Sequence, residues 1–318
     1  MTPSPFSGKR LVRRIALVAG VLLLVTLAAG WLAVRTLTSD PRPYFAERYE
    51  PLAVVQSEDG KLENGYLLRD LRLTTSGGLD VDITIKRPAS NADSLVPRPV
   101  VLLLGGHRTG RDAARLIEDT RGMTVVAMSY PFHGNERAKG FAVVKEVANA
   151  RAAVLDTPPA VRVTLDWISS QPWADTDRLE IVGVSFGAAF AVIAGALDDR
   201  ISRVWAIHGA GNPYLLLRTN LEPYVPTGVL QGVVAGLANV AINGPQLAPE
   251  RWTAELAPRP LIMVNATGDS RMPREAVMTL YESAVGPREL VWHAGDHVST
   301  SKRELIRALV DTVFERMK

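Results

Sequence analysis

The chain contains no cysteine among its 318 residues. Disulfide bonds, thiolate nucleophiles and cysteine-ligated metal sites are therefore excluded. Aromatic residues make up only 6% of the chain, and no basic stripe is interleaved with them, so nothing indicates a nucleic-acid surface. Charged residues are missing from two long segments, Ile15–Val34 and Pro223–Pro249. The whole chain is 47% hydrophobic and has a formal net charge of +3, a composition typical of one large globular domain.

The first uncharged segment predicts a membrane anchor. Ile15–Val34 has a single polar side chain, Thr26, and about 20 apolar residues suffice for a helix to cross a bilayer. Residues 1–14 carry a basic cluster, which predicts that this end stays in the cytoplasm and that the rest of the chain is extracytoplasmic. A cleaved signal peptide, cut near Ala28-Ala29-Gly30, is the alternative, although its apolar part is usually only about 7–15 residues long.

The rest of the chain has the pattern of a mixed α/β domain. Residues 35–53 contain three prolines and several charges and are predicted to be a linker. Alternation over Leu67–Leu73 and Val81–Ile85 then predicts a β-hairpin. Further strands are predicted at Val100–Leu104, Thr124–Ser129, Leu179–Val184, Arg203–His208, Leu261–Asn265 and Glu289–His293, and helices at Asp112–Asp119, Pro158–Ser169 and Lys302–Arg316. Strands that alternate with helices predict a mostly parallel sheet with helices on both faces.

One short motif indicates chemistry. Gly183-Val184-Ser185-Phe186-Gly187 follows an apolar strand and precedes a run of small apolar residues, Ala188–Ala196. The pattern predicts a strand, a sharp turn with Ser185 at its tip, and a helix whose free N–H groups point at the serine. Glycines on both sides let the strand and the helix pass without a collision.

With this motif in its strand–turn–helix context, residues 54–318 resemble the α/β-hydrolase family, in its serine esterase and dienelactone-hydrolase-like branch. The family's order of nucleophile, acid and histidine implies a triad of Ser185, Asp269 and His297, because the last two each follow a late strand. Asp296 is the alternative acid, although it adjoins His297 in sequence. His293 is the alternative base, but its place within a strand predicts that it packs against the sheet.

The resemblance also implies an oxyanion hole. Backbone amides at or after Gly106, including His107, are expected to act with the amide of Phe186. The side chain of His107 is interpreted as loop structure or pocket wall and not as a base, and that of His133 as structural rather than catalytic. No histidine pair has the spacing of a metal site within one helix, and no carboxylate cluster indicates a metal.

The second uncharged segment is predicted to be part of a lid, at about residues 213–252. Its apolar stripe includes Leu230 and Leu237, which are expected to bind substrate, and its glycines recur every fourth residue. A second membrane span is the alternative, but it would put Ser185 and His297 on opposite sides of the bilayer. A buried cap helix without a role in substrate choice is another.

Together these features predict a membrane-anchored serine hydrolase that cleaves a carboxylic ester through an acyl-serine intermediate, without a cofactor or a metal. The expected partners are a small, apolar ester and, through the N-terminal helix, the lipid bilayer. A thioesterase, a peptidase or an acyltransferase with the same triad remains an alternative, as does a non-catalytic, membrane-tethered binding protein on a hydrolase scaffold.

Overall fold

The computed structural model describes residues 6–91, 96–135, 138 and 142–317. The first five residues of the predicted basic segment and residues 92–95 of the loop before the first parallel strand lie outside this part. The chain divides into two units, one ending at Asp40 and one running from Pro41 to the C-terminus.

The first unit is one long helix, α1 (Phe6–Thr38), of 33 residues. The predicted anchor, Ile15–Val34, lies within it. Among the described residues, no helix has the length and apolar character needed to cross a membrane, so the anchor has no support from the structure. It stays a prediction from the sequence.

The second unit is a ten-stranded mixed sheet flanked by helices, as far as the structure describes it. The strands are β1 (Leu52–Ser57), β2 (Lys61–Glu63), β3 (Tyr66–Thr75), β4 (Asp80–Pro88), β5 (Arg98–Leu104), β6 (Thr124–Met128), β7 (Ala174–Val184), β8 (Arg203–Ile207), β9 (Leu261–Ala266) and β10 (Arg288–His293). The helices are α2 (Arg42–Arg48), α3 (Ala113–Leu116), α4 (Ala142–Ser169), α5 (Phe186–Leu197), α6 (Pro213–Leu221), α7 (Gly228–Ala241), α8 (Arg274–Ser283) and α9 (Arg303–Glu315).

The order of the strands explains where a site can form. The sheet runs β1-β3-β4-β6-β5-β7-β8-β9-β10, with β2 paired to β3. The strands β1 to β4 pair antiparallel, and β4 also pairs antiparallel with β6. The next six strands in sheet order are parallel to one another: β6, β5, β7, β8, β9 and β10. All six parallel strands therefore end at one edge. This arrangement confirms the predicted hairpin and the mostly parallel sheet.

Two apolar layers cover the two faces of the sheet. One contains the buried side chains of α4, α5 and α8, and the other those of α3 and α9. The apolar runs of β5 and β7 are buried on both faces, as expected for the centre of a parallel sheet. The carboxyl ends of β5 and β7 therefore emerge from a part of the sheet that is covered on both faces.

The predicted linker is wrong in its second half, because α2 belongs to the folded domain. Phe45 is 6% exposed, and its ring lies 6.1 Å from that of Trp252. Arg48 donates two hydrogen bonds of 2.9 Å to Asp156. The prolines here start the helix rather than break it, since Pro43 occupies its first turn. Arg48 is thus paired within the folded domain rather than solvated.

The helix predicted at Pro158–Ser169 begins much earlier, at Ala142. Asp156 does not cap it but binds Arg48, and the Thr157 hydroxyl donates to Ala153 O at 2.7 Å. The helix contains two prolines, which would ordinarily interrupt it. Residues around them are buried, and this packing stabilises the helix there. The short helix predicted at Asp112–Asp119 is also smaller, because only Ala113–Leu116 is α-helical.

The packing of α2 gives a test of the domain boundary. Replacing Phe45 with alanine should lower the free energy of unfolding by about 3–5 kcal/mol, as loss of a buried aromatic ring does. Glu47→Ala, on the exposed side of the same helix, should change it by less than about 0.5 kcal/mol. Denaturant unfolding of the two variants makes the comparison. Equally small changes in the free energy of unfolding for both variants would indicate that α2 is part of the linker.

Candidate active site

Ser185 lies at the turn between β7 and α5, in a conformation that few residues adopt. Its backbone has φ 55° and ψ −113°, and its N–H donates to Ile207 O at 2.8 Å. Such a strained backbone persists only where the surroundings fix it. The turn lifts the serine side chain out of both the strand and the helix, as the sequence motif predicts.

The flanking glycines are required by close backbone approach. A Cβ atom on Gly183 would lie 2.3 Å from Gly187 O, and one on Gly187 would lie 2.1 Å from Leu104 O. The first turn of α5 thus sits directly against the carboxyl end of β5. Neither position has room for a side chain.

The structure brings the predicted triad residues together in hydrogen-bonding order. The Ser185 Oγ–H donates to His297 Nε2 at 2.8 Å, and His297 Nδ1–H donates to Asp269 Oδ2 at 2.7 Å. Their loops follow β7, β9 and β10, which end at the same edge of the sheet. His297 is 9% exposed and Asp269 7% exposed, so the relay is shielded from water up to the serine.

The Asp269 carboxylate is held as an anion. Burial by itself raises the pKa of Asp269, but hydrogen bonds from His208 and His297 and from the backbone of Arg271 outweigh it, so the pKa lies well below its usual range. The other oxygen, Oδ1, accepts from the amides of Arg271 and Met272 at 2.9 and 3.1 Å. These four donors fix both oxygens. Asp269 does not cap α8, because that helix begins only at Arg274 and has Pro273 at its N-cap position.

Sequence reasoning missed His208, which lies at the end of β8. It is completely buried, and its Nδ1 lies 2.7 Å from Asp269 Oδ2, the oxygen that His297 also uses. Burial lowers the pKa of His208, although the Asp269 carboxylate opposes this. A signal was available, since a histidine at the carboxyl end of a strand next to the nucleophile strand belongs at the site edge of an open α/β sheet.

The two alternatives for acid and base occupy other positions. The side chain of Asp296 is 75% exposed and pairs with Lys302 at 3.1 Å. His293 does not pack into the sheet as predicted. It is half-buried, and its Nδ1 lies 2.9 Å from Ala294 O while its Nε2 lies 3.1 Å from His208 Nε2. The pleat of β10 points it at His208 rather than at the sheet core.

Two of the three residues predicted for the oxyanion hole lie at the cavity that Ser185 lines, and the third, Phe186, follows Ser185 in the chain. Gly106 and His107 line a cavity together with Ser185. The His107 ring meets that of Phe186 edge-on at 6.1 Å, and His107 is part of the cavity lining. Tyr130 donates a hydrogen bond to Gly105 O and fixes the end of β5. His133 is exposed and lies outside the cavity.

The cavity at Ser185 is large and mainly apolar. It has a volume of about 270 Å³ and extends from the serine down between the sheet, α3 and α9. Its walls in the interior are aliphatic or aromatic side chains from these elements: Leu103, Ala113, Val182, Ile207, Leu309 and Phe314. Its polar lining comes from exposed loop residues, among them Arg108, Arg271 and Ser299.

The predicted lid residues do not line this cavity. The segment forms α6 and α7, but Leu230 and Leu237 are 48% and 68% exposed and lie outside the cavity wall. Of the three regularly spaced glycines, Gly232 alone has a neighbour near the position of a Cβ atom, the Tyr214 hydroxyl at 3.3 Å. This geometry gives the assignment of Leu230 and Leu237 to substrate binding no support, and the assignment stays a prediction from the sequence. The apolar stripe of α7 faces outward because its small residues, such as the buried Ala235, form the inner face.

Among the described residues, His208, Asp269 and His297 form a cluster whose donor atoms lie within 4.8 Å of one another. Both imidazole Nδ1 atoms already contact the Asp269 oxygen at 2.7 Å. Such distances are those of N–H···O bonds, in which the nitrogen lone pairs that a metal needs are protonated. The geometry is that of a proton relay.

No protein-family model matches the sequence, and no curated protein matches it either. Solved structures do match. The acetyl xylan esterase 1 of a Thermoanaerobacterium species has a TM-score of 0.62 at 13% identity, over 88% of this chain and 93% of that one. An acetyl xylan esterase of a Paenibacillus species has a TM-score of 0.61 at 14% identity, over 86% and 92%.

A cold-adapted esterase from an Arctic intertidal metagenomic library is also similar, with a TM-score of 0.55 at 16% identity, over 83% of this chain and the whole of that one. Identities this low carry information on the fold alone. Together with the strand order, the turn at Ser185 and the sheet edge that gathers Asp269 and His297, these likenesses show that the chain has the α/β-hydrolase fold.

Proposed function

We propose that the protein is a serine hydrolase that cleaves a carboxylic ester through an acyl-serine intermediate. The observation that carries the proposal is the continuous relay of Ser185, His297 and Asp269, with contacts of 2.8 and 2.7 Å, at the opening of an apolar cavity. A serine hydroxyl is a poor nucleophile until a neighbouring imidazole can take its proton.

Acylation follows from this geometry. His297 Nε2 takes the proton of Ser185 Oγ as the oxygen attacks the ester carbonyl carbon. The resulting imidazolium is stabilised by the Asp269 carboxylate. The backbone amides of Phe186 and of Gly106 or His107 bind the oxyanion of the tetrahedral intermediate. His297 then gives its proton to the alcohol oxygen, and the carbon–oxygen bond to the alcohol breaks.

Deacylation repeats the steps with water. His297 takes a proton from a water molecule as that water attacks the acyl-serine carbonyl. The second tetrahedral intermediate collapses, the proton returns to Ser185 Oγ, and the carboxylic acid leaves. The cycle consumes one ester and one water and produces one acid and one alcohol, and none of its steps requires a cofactor.

The cavity supports an apolar acyl group longer than acetate. The names of the two similar acetyl xylan esterases point to acetate esters, but an acetyl group would leave most of a 270 Å³ space empty. Each additional methylene buried there contributes about 0.8 kcal/mol. An unbranched acyl chain that runs from Ser185 toward α9 fits the aliphatic walls best.

The nucleophile and the base can be tested together. Ser185→Ala should abolish both ester hydrolysis and labelling by a fluorophosphonate probe, because no hydroxyl is left to attack. His297→Ala should reduce kcat on the order of 10³-fold or more, as loss of a triad member does. Rates on p-nitrophenyl esters, with peptide and thioester substrates run in parallel, measure both effects and identify the bond cleaved.

A matched control is available in the neighbouring histidine. His293→Ala should reduce kcat far less than His297→Ala, because His293 does not contact Ser185. If His297→Ala kept near-normal kcat while folded His293→Ala was inactive, the two roles would be reversed. A wild-type protein that is neither labelled nor active on any ester would favour a non-catalytic binding protein.

Acyl selectivity tests the cavity. For the wild type, kcat/KM should rise about fourfold for each added methylene, the equivalent of 0.8 kcal/mol, until the cavity is filled. Ile306→Trp places a large ring in the cavity wall and should remove this preference for longer chains while sparing acetate esters. Leu305→Trp, the adjacent residue outside the wall, and Leu237→Glu on α7 should leave it unchanged. If Leu237→Glu lost the preference for longer acyl chains, the result would support a role of α7 as a lid.

The location of the domain is a separate proposal and depends on the sequence. We propose that residues 15–34 anchor the chain in a membrane, with the N-terminus in the cytoplasm and the catalytic domain outside. Support comes from the uncharged stretch and the basic cluster before it. The described apolar side chains of α1 are also exposed, for example Leu17 at 70% and Leu24 at 67%.

Reporter fusions test this topology. An alkaline phosphatase fused to the C-terminus should be active, and a reporter that works only in the cytoplasm should be silent at the same position. Inserting two arginines within residues 15–34 should release the full-length chain from the membrane fraction, because charges at mid-bilayer are costly. A soluble, shortened chain would instead support the signal-peptide alternative.

A further inference from the structure

The Asp269 carboxylate has a second imidazole, which the triad mechanism does not use. His208 and His297 both reach Oδ2, each through Nδ1 at 2.7 Å. Behind His208 lies His293, with the two Nε2 atoms 3.1 Å apart. A continuous chain of hydrogen-bonding groups therefore runs from the half-exposed His293, through the buried His208 and Asp269, to His297 and Ser185.

The chemistry of the acceptors fixes the protons in this chain. An ionised carboxylate and a carbonyl oxygen accept hydrogen bonds only. The Nδ1 atom of His208 must therefore carry a proton toward Asp269, and the Nδ1 atom of His293 must carry one toward Ala294 O, 2.9 Å away. If both rings were neutral, two Nε2 lone pairs would face each other at 3.1 Å. The contact becomes a hydrogen bond only when the pair holds one more proton.

The extra proton belongs on His293 rather than on His208. His208 is completely buried, and burial disfavours its charged form. His293 is half-buried and has access to water. Protonated His293 would donate Nε2–H to the lone pair of a neutral His208, which in turn donates Nδ1–H to Asp269. All the donors and acceptors in the chain are then matched.

We propose that His208 is a positioning residue of the triad, which acts by holding the Asp269 carboxylate, and that the protonation state of His293 controls how strongly His208 does so. The proposal rests on the proposed serine-hydrolase function. When His293 is protonated, it polarises His208, and Asp269 Oδ2 is bound more strongly from that side. Less of the carboxylate charge is then left to stabilise the imidazolium form of His297.

In the described structure, few other charged groups lie near the hydrogen-bonded row of His293, His208, Asp269 and His297. The β9–α8 loop contributes Arg271, which lines the cavity, and Arg274 at the start of α8 stacks on Trp292 at 4.9 Å. The loop after β10 contributes Asp296, paired with Lys302 at 3.1 Å. From the segment after α7, Glu250 accepts from the amide of Asn212 at 3.1 Å. Direct hydrogen bonds to Asp269 come from His208, His297 and two backbone amides.

Two conservative variants separate the donor from the titration. Asparagine at position 208 tolerates the local φ of +48° and places a side-chain N–H near the position of Nδ1, but it cannot gain a proton. Glutamine at position 293 supplies a permanent N–H donor near the position of Nε2, without a charge. His208→Ala removes the donor altogether. His133→Asn, at an exposed histidine outside the site, is the matched control.

Steady-state rates between about pH 5 and 8, the range in which imidazoles titrate, give the first readout. His208→Ala should reduce kcat about 10- to 100-fold with little change in KM, as loss of a residue that orients a catalytic group does. His208→Asn should restore most of that rate. The wild type and His133→Asn should show an extra inflection on the acid side of the profile, and His208→Asn and His293→Gln should lack it.

The opposite results would overturn the proposal. Folded His208→Ala with wild-type kcat and an unchanged pH profile would reduce His208 to a packing residue. An inflection that persists in both His208→Asn and His293→Gln would assign it to another group.

Nitrogen-15 NMR of the histidine rings in Ser185→Ala gives a readout without turnover, and five histidines make the spectrum tractable. His208 should be neutral with its proton on Nδ1 throughout this range. An Nε2–H form would contradict the proposal. Failure of wild-type labelling by the fluorophosphonate probe would instead contradict the serine-hydrolase function, whatever the NMR result.

Discussion

One buried carboxylate organises the site. Asp269 accepts four hydrogen bonds, two from imidazoles and two from backbone amides of its own loop. The imidazoles stand at the ends of β8 and after β10, on either side of β9. A buried charge is tolerated only when its lone pairs are satisfied. The need to satisfy this charge therefore fixes the positions of three loops at the carboxyl edge of the sheet.

The same edge determines what could be predicted from sequence. The motif around Ser185 specifies its own geometry, because β7, α5 and β5 approach too closely for any residue but glycine at positions 183 and 187. A Cβ atom at either position would lie within 2.3 Å of a backbone oxygen. For Asp269 and His297, the order of the triad that the family resemblance implies is needed as well, together with the strands that precede them. A local pattern suffices by itself only for Ser185, whose role follows from its own turn.

His208 and the cavity could not be predicted in the same way. The role of His208 depends on the neighbour relation of β8 with β9, which brings it within 2.7 Å of a residue 61 positions away. The cavity lies between α3 and α9, whose sequences show only apolar faces. The outward stripe of α7 shows the same limit, because an apolar period of 3.6 indicates an apolar face but not what covers that face. Likewise, Pro43 in α2 and Pro158 in α4 are accommodated by packing that the sequence does not display.

Two buried ionisable groups, Asp269 and His208, make the stability of the folded state depend on pH. Because the pKa of Asp269 is lowered in the folded state, its contribution to stability is present above its ordinary value of 3.8 and is lost only as the pH falls through its depressed value. The pKa of His208 is also lowered, so the folded state favours the neutral imidazole. Stability therefore declines as the pH falls below 6.5, the ordinary pKa of histidine. Between about pH 5 and 8 the charge on Asp269 is therefore constant. Asp269 itself therefore contributes no titration to the rate of the folded enzyme in that range.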